Sequence, residues 1–333
     1  MKAKKCLFIY PVSSSFVSRD MDILKKEYRV HPLKLALSKN PLLFALGFLK
    51  VLVISLIRIP FSHMVYIWFA DYHSFLPVLI ARIFRKKTYL VIGGYDVARI
   101  RELNYGSLVK GFRSFCTKYS MQHASACLTV SNYVDRKVKY IAPRARRMLI
   151  PNGVSFDQEI GEKTRENIVL TVGVFSSYKG FRIKGIDYFL EIAQQMPETT
   201  FVYIGSDSSE IRKHAGLLPE NVSFPGKLPH EQLVAYYQKA KVYCQFSLSE
   251  SFGLALAEAM YFGCFPVVCN NTALPEMVGD HGLVLNCNRM DKVISSITHA
   301  LDHYQVNTRA REHILSHYTL DLRQERLLSF LSS

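Results

Sequence analysis

The chain has 333 residues, enough for two domains of ordinary size, and 49% of them are hydrophobic with no low-complexity tract, which excludes a disordered or fibrous protein. Residues 1–150 hold 26 Lys and Arg against 7 Asp and Glu, a net of +19, whereas residues 151–333 hold 16 against 20, a net of −4. Such asymmetry predicts a basic first half that meets an anionic surface, and with no RNA-binding, zinc-finger or helix-turn-helix signature that surface reads as a membrane rather than nucleic acid. The seven cysteines show no CxxC spacing and sit mostly in apolar runs. They predict buried thiols in a reducing cytosol and argue against a disulfide frame or a zinc site.

In chain order, Lys2, Lys4 and Lys5 precede the apolar run Cys6–Val12. That run is too short for a secretory leader with its cleavage site and reads as a first strand. "PVSSSF" ends it, and Ser14 and Ser15 stand where a helix N-terminus could take an acceptor phosphate. Asp20 and Asp22 form a D-x-D pair, but inside a helical pattern, so they read as a solvated face and not as metal ligands. Residues 41–61, "PLLFALGFLKVLVISLIRIPF", are the most apolar segment, with Lys50 at the centre and Arg58 near the end. The charges make a membrane span marginal. Lys39 and Lys50 are eleven residues apart and share a helix face to within about 20°. The segment therefore fits either a helix lying in a membrane interface or a core helix of an α/β domain. "RIFRKK" at 82–87 and "PRARR" at 143–147 add basic clusters.

Further strands are predicted at Met64–Trp68, Thr88–Ile92, Ala126–Val130 and Met148–Ile150. In "GGYDVAR", which follows the Thr88–Ile92 run, Gly93 and Gly94 allow close backbone approach. Asp96 either contacts a sugar or acceptor hydroxyl or caps the next turn. His63, His73 and His123 are scattered and read as structural. "IPNGVSFD" at 150–157 is a Pro-Asn-Gly turn, followed by the polar stretch 158–167, and marks a domain boundary. The alternation then resumes, with strands at Ile168–Val172, Thr200–Ile204, Val222–Phe224, Val242–Gln245 and Phe265–Cys269. Strands alternating with helices imply parallel sheets. The fold class expected is α/β, two Rossmann-like doubly wound domains facing across a cleft, with ligands at the carboxyl ends of the strands.

"SESFGLALAEAMYFGCFPVV" at 249–268 concentrates the chemistry. It reads as loop, helix over Phe252–Phe262, Gly263 turn and buried strand, with Ser249, Glu250 and Ser251 available as caps. Glu258 then lies among Leu256, Ala257, Ala259 and Met260, where a bare carboxylate is costly to bury unless it is paired. Its partner is either a core Arg or Tyr or a ligand hydroxyl. A helix N-terminus carries about half a positive charge and free N–H groups, so Phe252, Gly253 and Leu254 can receive phosphate. Eight helical residues rise about 12 Å, so Glu250 and Glu258 can meet the two ends of one extended ligand, a sugar at one and a ribose at the other if that ligand is a nucleotide sugar; Glu250 also fits a simple helix cap.

This segment resembles the E-x7-E segment of family 4 glycosyltransferases. "VSNYVDRKV" and "IPNGVSFD" resemble their interdomain crossover, and "LTVGVFSSYKGFRIKGIDYFLEIAQQMP" resembles the opening of their donor domain. "FVYIGS", "VSFPGKLPHEQLVAYYQKAKVYCQFS" and "NNTALPEMVGDHGLVL" follow in the family's order. The match is strong over about 130–285 and weaker before it. It implies the GT-B fold, an acceptor domain over 1–150, a donor domain over 151–317 and a C-terminal helix over about 318–333 that returns to the first domain. It further implies that Lys184 binds the donor phosphates and that Gly226, Lys227 and Leu228 hold the base through backbone groups. Many members carry an Arg where this chain has Val174, and Arg182 is the candidate replacement, ahead of Lys179.

The function expected is a retaining glycosyltransferase that moves a hexosyl or N-acetylhexosaminyl group from a nucleotide-diphosphate sugar. The acceptor expected is a saccharide, lipid-linked, in surface polysaccharide or glycolipid synthesis. Peripheral attachment to the inner face of the cytoplasmic membrane is expected, with no metal or other cofactor. Two alternatives share these features: a nucleotide-sugar 2-epimerase on the same architecture, and an inactive basic membrane-binding homologue.

Overall fold

The computed structural model describes residues 4–35, 40–155 and 164–333, so Lys2, Lys39 and the polar residues 158–163 lie outside the described residues. The chain forms two compact units, Met1–Gly153 with Asp321–Ser333, and Val154–Leu320. The first contains β1 (Lys5–Tyr10), α1 (Ser15–Lys25), β2 (Arg29–Lys34), α2 (Pro41–Arg58), β3 (Met64–Trp68) and α3 (Tyr72–Ile83). It continues with β4 (Lys87–Ile92), α4 (Gly111–His123), β5 (Ala126–Thr129), α5 (Asn132–Ile141) and β6 (Arg147–Leu149). The second unit contains β7 (Glu166–Val172), α6 (Tyr178–Ile183), α7 (Ile186–Gln195), β8 (Thr200–Ile204), α8 (Ser208–Ala215), β9 (Val222–Gly226) and α9 (His230–Lys239). It goes on through β10 (Ala240–Gln245), α10 (Leu254–Tyr261), β11 (Phe265–Cys269), α11 (Leu274–Val278), β12 (Leu283–Leu285), α12 (Met290–Asp302) and α13 (Thr308–His317). α14 (Leu320–Ser332) belongs to the first unit from Asp321 on.

Each unit is built on a six-stranded parallel sheet, ordered β2-β1-β3-β4-β5-β6 and β12-β11-β10-β7-β8-β9. The second order is that of a dinucleotide-binding fold, and its chain direction reverses between β7 and β10. Both faces of that sheet are covered. Leu170, Val202 and Tyr243 face one core with Leu256 and Met260, while their neighbours Val169, Phe201 and Val242 face the other with Phe189 and Ile297. Burial on both faces is why these strands read as continuous apolar runs.

The two strands not anticipated are edges, where one flank is uncovered and the apolar run breaks down. β2 carries Pro32 and alternates exposed with half-buried residues, and β12 has three residues, all half-buried. The expectation of free thiols throughout is corrected at one place. Cys269 and Cys287 form a disulfide, because Cys269 pairs with Leu285 across β11 and β12 and Cys287 follows two residues later. Cys6, Cys116, Cys127, Cys244 and Cys264 are buried free thiols.

Asp20 is the second correction. It is fully buried in α1, not solvated, and accepts from Arg323 of α14 at 2.6 and 2.7 Å and from the Tyr66 hydroxyl at 2.7 Å. Arg323 also donates to the carbonyls of Ile150 and Pro151, so α14 is fastened to the sheet of its own unit through a buried ion pair. Asp22 is exposed beside Lys25, as a solvated face requires.

α2 starts at an Asn40 cap that accepts from the N–H groups of Leu42 and Leu43, with Pro41 in the first turn. Of its 18 residues only Val51 and Ser55 are buried, which rules out a core helix. Phe44 and Phe48 pack inward on Tyr72 and Phe75 of α3. Leu42, Leu46, Leu49, Val53 and Leu56 recur at helical spacing on the opposite face, all exposed.

Candidate functional site

The reversal between β7 and β10 opens a crevice at their carboxyl ends, the place where α/β sheets bind ligands. Around that point the second unit assembles most of the residues singled out from sequence. α6 is capped by Ser177, whose hydroxyl accepts from the N–H of Gly180, and it ends at Lys184. Gly185 then takes φ +67°, and a Cβ there would stand 2.2 Å from the carbonyl oxygen of Phe246, so only glycine lets the loop lie against β10. This contact aims Lys184 at the loop after β10. Its Nζ lies 2.9 Å from Oε2 of Glu250, and Gln245 donates to the same oxygen at 3.0 Å. Sequence reasoning missed Gln245, which reads as the polar end of a buried strand.

Glu250 precedes the helix, as expected, but neither it nor its serine neighbours cap it, and the expected start at Phe252 is corrected. α10 begins at Leu254, capped by Gly253 at φ +91°, and Ser249, Glu250 and Ser251 lie in the preceding loop. The left-handed Gly253 makes the helix start two residues later than the apolar pattern suggests. The rise of a continuous helix between Glu250 and Glu258 therefore does not apply; three residues of loop and four of helix lie between them. Phe252 is buried against Tyr318, and Leu254 is half-buried beside the core. The Glu250 loop is held by Thr272, whose hydroxyl accepts from the Glu250 N–H at 3.0 Å. Thr272 adopts φ +58°, a strained conformation for a β-branched residue and one found where function over-determines the backbone.

Glu258 lies on α10 with its side chain 13% exposed. It accepts from the buried Tyr237 hydroxyl at 3.3 Å, and His230 Nε2 lies 3.7 Å away at the start of α9. Burial, and then the Glu258 charge, push the Tyr237 hydroxyl well above its usual range, so it donates and does not ionise. The carboxylate is thus neither bare nor fully committed. Gly226 ends β9, Lys227 is exposed and Leu228 packs on the α10 core. Arg182 does not join Lys184: it pairs with Asp187 at 3.0 Å in the first turn of α7. Val174 is exposed, and Lys179 lies in α6.

In the first unit, Asp96 is fully buried. Its two oxygens accept from the N–H groups of Ala70, Gly93 and Gly94 at 3.2, 3.1 and 2.7 Å. It therefore ties the loops after β3 and β4 together, and a contact with a ligand would break that tie. Burial pushes its carboxyl up to about 6 against the pull of those donors. Ser14 caps α1 by position without a side-chain bond, its hydroxyl buried and unpartnered, and Ser15 opens the helix. A cluster not anticipated lies near the β3 end. Arg113 donates to Asp71 and to the Tyr95 hydroxyl and lies over the rings of Tyr72 and Tyr95. Among the described residues no group of three or more His, Cys, Asp or Glu could hold a metal ion.

Residues 155–314, nearly the whole second unit, match the family model described as glycosyl transferases group 1. The second unit is a group 1 glycosyltransferase domain. Outside this match, a protein in the cps region of Klebsiella pneumoniae described as uncharacterized is 31% identical over 186 residues, covering half of each chain. The O-antigen chain mannosyltransferase B of Escherichia coli is 42% identical over 81 residues, 24% of this chain and 21% of that one. A GDP-mannose:cellobiosyl-diphosphopolyprenol alpha-mannosyltransferase of Xanthomonas campestris is 24% identical over 196 residues, 56% and 51% of the two chains. The chain thus spans about half the length, or less, of these curated relatives. Two solved structures extend the likeness of fold. The sucrose-phosphate synthase of Thermosynechococcus elongatus superposes with a TM-score of 0.77 at 14% identity, over 99% and 98% of the chains. The lipopolysaccharide outer core galactosyltransferase WaaB does so with 0.70 at 14%, over 97% and 98%. The glycosyltransferase domain and the unit before it have the GT-B fold.

Proposed function

We propose that this protein is a retaining glycosyltransferase that moves a hexosyl group from a nucleotide-diphosphate sugar to a lipid-linked saccharide acceptor during surface polysaccharide assembly. The observation that carries the reading is the Lys184–Glu250 pair, held at 2.9 Å at the reversal point of the sheet beside the opening of α10. Donor diphosphate at the N–H groups of Gly253 and Leu254 exchanges for Glu250 as the partner of Lys184. The cation and the helix dipole then stabilise the charge that grows on the departing diphosphate. Glu250, released from Lys184 but still held by Gln245, accepts from the transferred sugar's hydroxyls, and Glu258 accepts from the ribose. Retention, in this reading, follows a front-face route, with the acceptor hydroxyl entering beside the leaving group.

The mannosyltransferase names of the relatives make GDP-mannose the first donor to test. The exposed apolar face of α2 and the basic first unit support work at the cytoplasmic face of a membrane. A thermal-shift panel of nucleotide sugars tests the donor, since a ligand that binds the native state stabilises it by mass action. Glu258→Ala should weaken the binding donor about 10- to 100-fold, the worth of one or two hydrogen bonds to a charged group. Unchanged affinity would remove Glu258 from the ribose site. NMR of the product anomer with an acceptor then tests retention.

A further inference from the structure

A second cavity, of about 450 Å³, opens in the glycosyltransferase domain on the far side of the Gly185–Phe246 contact from Lys184. Its size is that of a small-molecule site. Its walls come from the first turn of α7 and from the loops after β10, β11 and β12, the last two joined by the Cys269–Cys287 disulfide. The charged groups on the wall, Arg182 and Asp187, neutralise each other. The cavity therefore has no net preference for phosphate. Asn270, Asn271, Asn286 and Asn288 supply amides that both donate and accept, beside an apolar strip of Leu248 and Leu285.

Three polar atoms on this wall are buried without a hydrogen-bond partner in the protein: the Tyr188 hydroxyl, Oδ1 of Asp187 and Nε of Arg182. The last is compensated by its ion pair with Oδ2 of Asp187, and the first two are not. Tyr188 is held edge-on against Phe246, ring centroids 5.2 Å apart, so its hydroxyl is not free to swing out. Buried groups of this kind are costly unless something satisfies them. An uncharged polyol meets each requirement: vicinal hydroxyls pair with amides and with an orphan donor and acceptor, and the C–H face of a sugar ring covers the apolar strip.

We propose that this cavity is an accessory subsite for a neutral saccharide, separate from the donor site. Occupancy does not depend on the donor reading, because the lining shares neither Lys184 nor Glu250 nor Glu258. On a polysaccharide-building enzyme, such a subsite would grip sugars of the acceptor or product beyond the reacting residue.

Saturation-transfer NMR on the full chain, with mannobiose and maltose as probes and no nucleotide present, tests the subsite. Binding of at least one disaccharide is expected. Asn288→Trp, an exposed substitution that fills the cavity mouth, should abolish it. Tyr188→Phe, which removes only the orphan hydroxyl, should weaken it severalfold. Both variants should keep the thermal shift given by the donor nucleotide sugar, and Glu258→Ala should keep disaccharide binding while losing that shift. Failure of both disaccharides to bind the wild-type chain would overturn the subsite. So would binding that survives Asn288→Trp or that disappears with Glu258→Ala. None of these results bears on whether a nucleotide sugar binds at Lys184, which the thermal shift reads alone.

Discussion

Lys184 and Glu250 satisfy each other in the unliganded domain, and that is what makes the pair testable. On the proposed function, this salt bridge opens to admit the donor diphosphate and keeps the site neutral until then. In that reading Lys184→Met leaves Glu250 with Gln245 and removes the cation from the leaving group. It should lower kcat/KM by about 10²–10³, the usual loss when one charge-stabilising donor is taken from a preorganised site. A panel of steady-state rates checks this, and a loss below about threefold would place the phosphates elsewhere. Asp96 makes a different prediction, about stability. Its folded carboxyl titrates near 6, raised from an ordinary value of 3.8 by burial. A raised acid favours the folded state most below the unfolded pKa, and that contribution is lost as pH rises through the folded value. Asp96→Asn cannot ionise. The stability difference between wild type and Asp96→Asn, followed by urea midpoints from pH 4 to pH 7.5, should therefore shift in favour of the variant up to about pH 6 and level off above it. A flat difference would mean that the three backbone donors fully offset burial.

At the scale of elements, what the sequence disclosed follows from burial. Central strands such as β3 and β8 are covered on both faces and announce themselves as apolar runs; the edges β2 and β12 are not and do not. The start of α10 was misplaced by two residues because apolar periodicity cannot see the left-handed turn at Gly253. A motif pointed at Lys184 and a buried-charge argument at Glu258, and the polar partner that argument required is the Tyr237 hydroxyl. Asp96 was read as a ligand contact or a turn cap and not as a loop anchor, since its partners are backbone N–H groups from two loops. The Arg182–Asp187 pair was hidden because a guanidinium two residues from Lys184 can turn either to the same site or to a carboxylate on the next helix. Asp20 was hidden most deeply, its partner Arg323 lying 303 residues away. Removing one member of a buried pair strands the other, at a cost of about 3–5 kcal/mol. Asp20→Asn should therefore loosen α14, whereas Asp20→Leu with Arg323→Leu should cost less than Asp20→Asn. Trp68, the single tryptophan, lies 5.8 Å from the Arg323 guanidinium, so its fluorescence reports the transition directly. Equal midpoints for wild type and Asp20→Asn would show that Arg323 is satisfied by the Ile150 and Pro151 carbonyls alone.

At the scale of the whole molecule, the charge asymmetry and the face of α2 have to be explained together. An apolar stripe of Leu42, Leu46, Leu49, Val53 and Leu56 turned outward is a liability in water unless something covers it. The same half of the chain carries a net of +19. Lys50 and Arg58 lie on the same helix, Arg82 is in the last turn of α3, on which α2 packs, and Arg85 and Lys86 follow α3. An anionic bilayer satisfies both features at once, taking the leucines into the acyl boundary and the cations at the headgroups. Each cation near the leaflet contributes about 1 kcal/mol, and the leucine stripe adds roughly 25 cal/mol for every Å² it buries. The two terms separate experimentally because only the first is screened by salt. In vesicle sedimentation, the protein should bind phosphatidylglycerol vesicles strongly at low salt and phosphatidylcholine vesicles weakly. Raising NaCl to about 0.5 M should release most but not all of it, since a Debye length near 4 Å leaves the apolar term intact. Leu46→Glu with Leu49→Glu should remove the salt-resistant fraction while leaving donor binding unchanged, because both residues lie outside the glycosyltransferase domain. Equal binding to the two vesicle types, or a salt-resistant fraction that survives the double substitution, would leave the outward leucines to be covered by another protein chain.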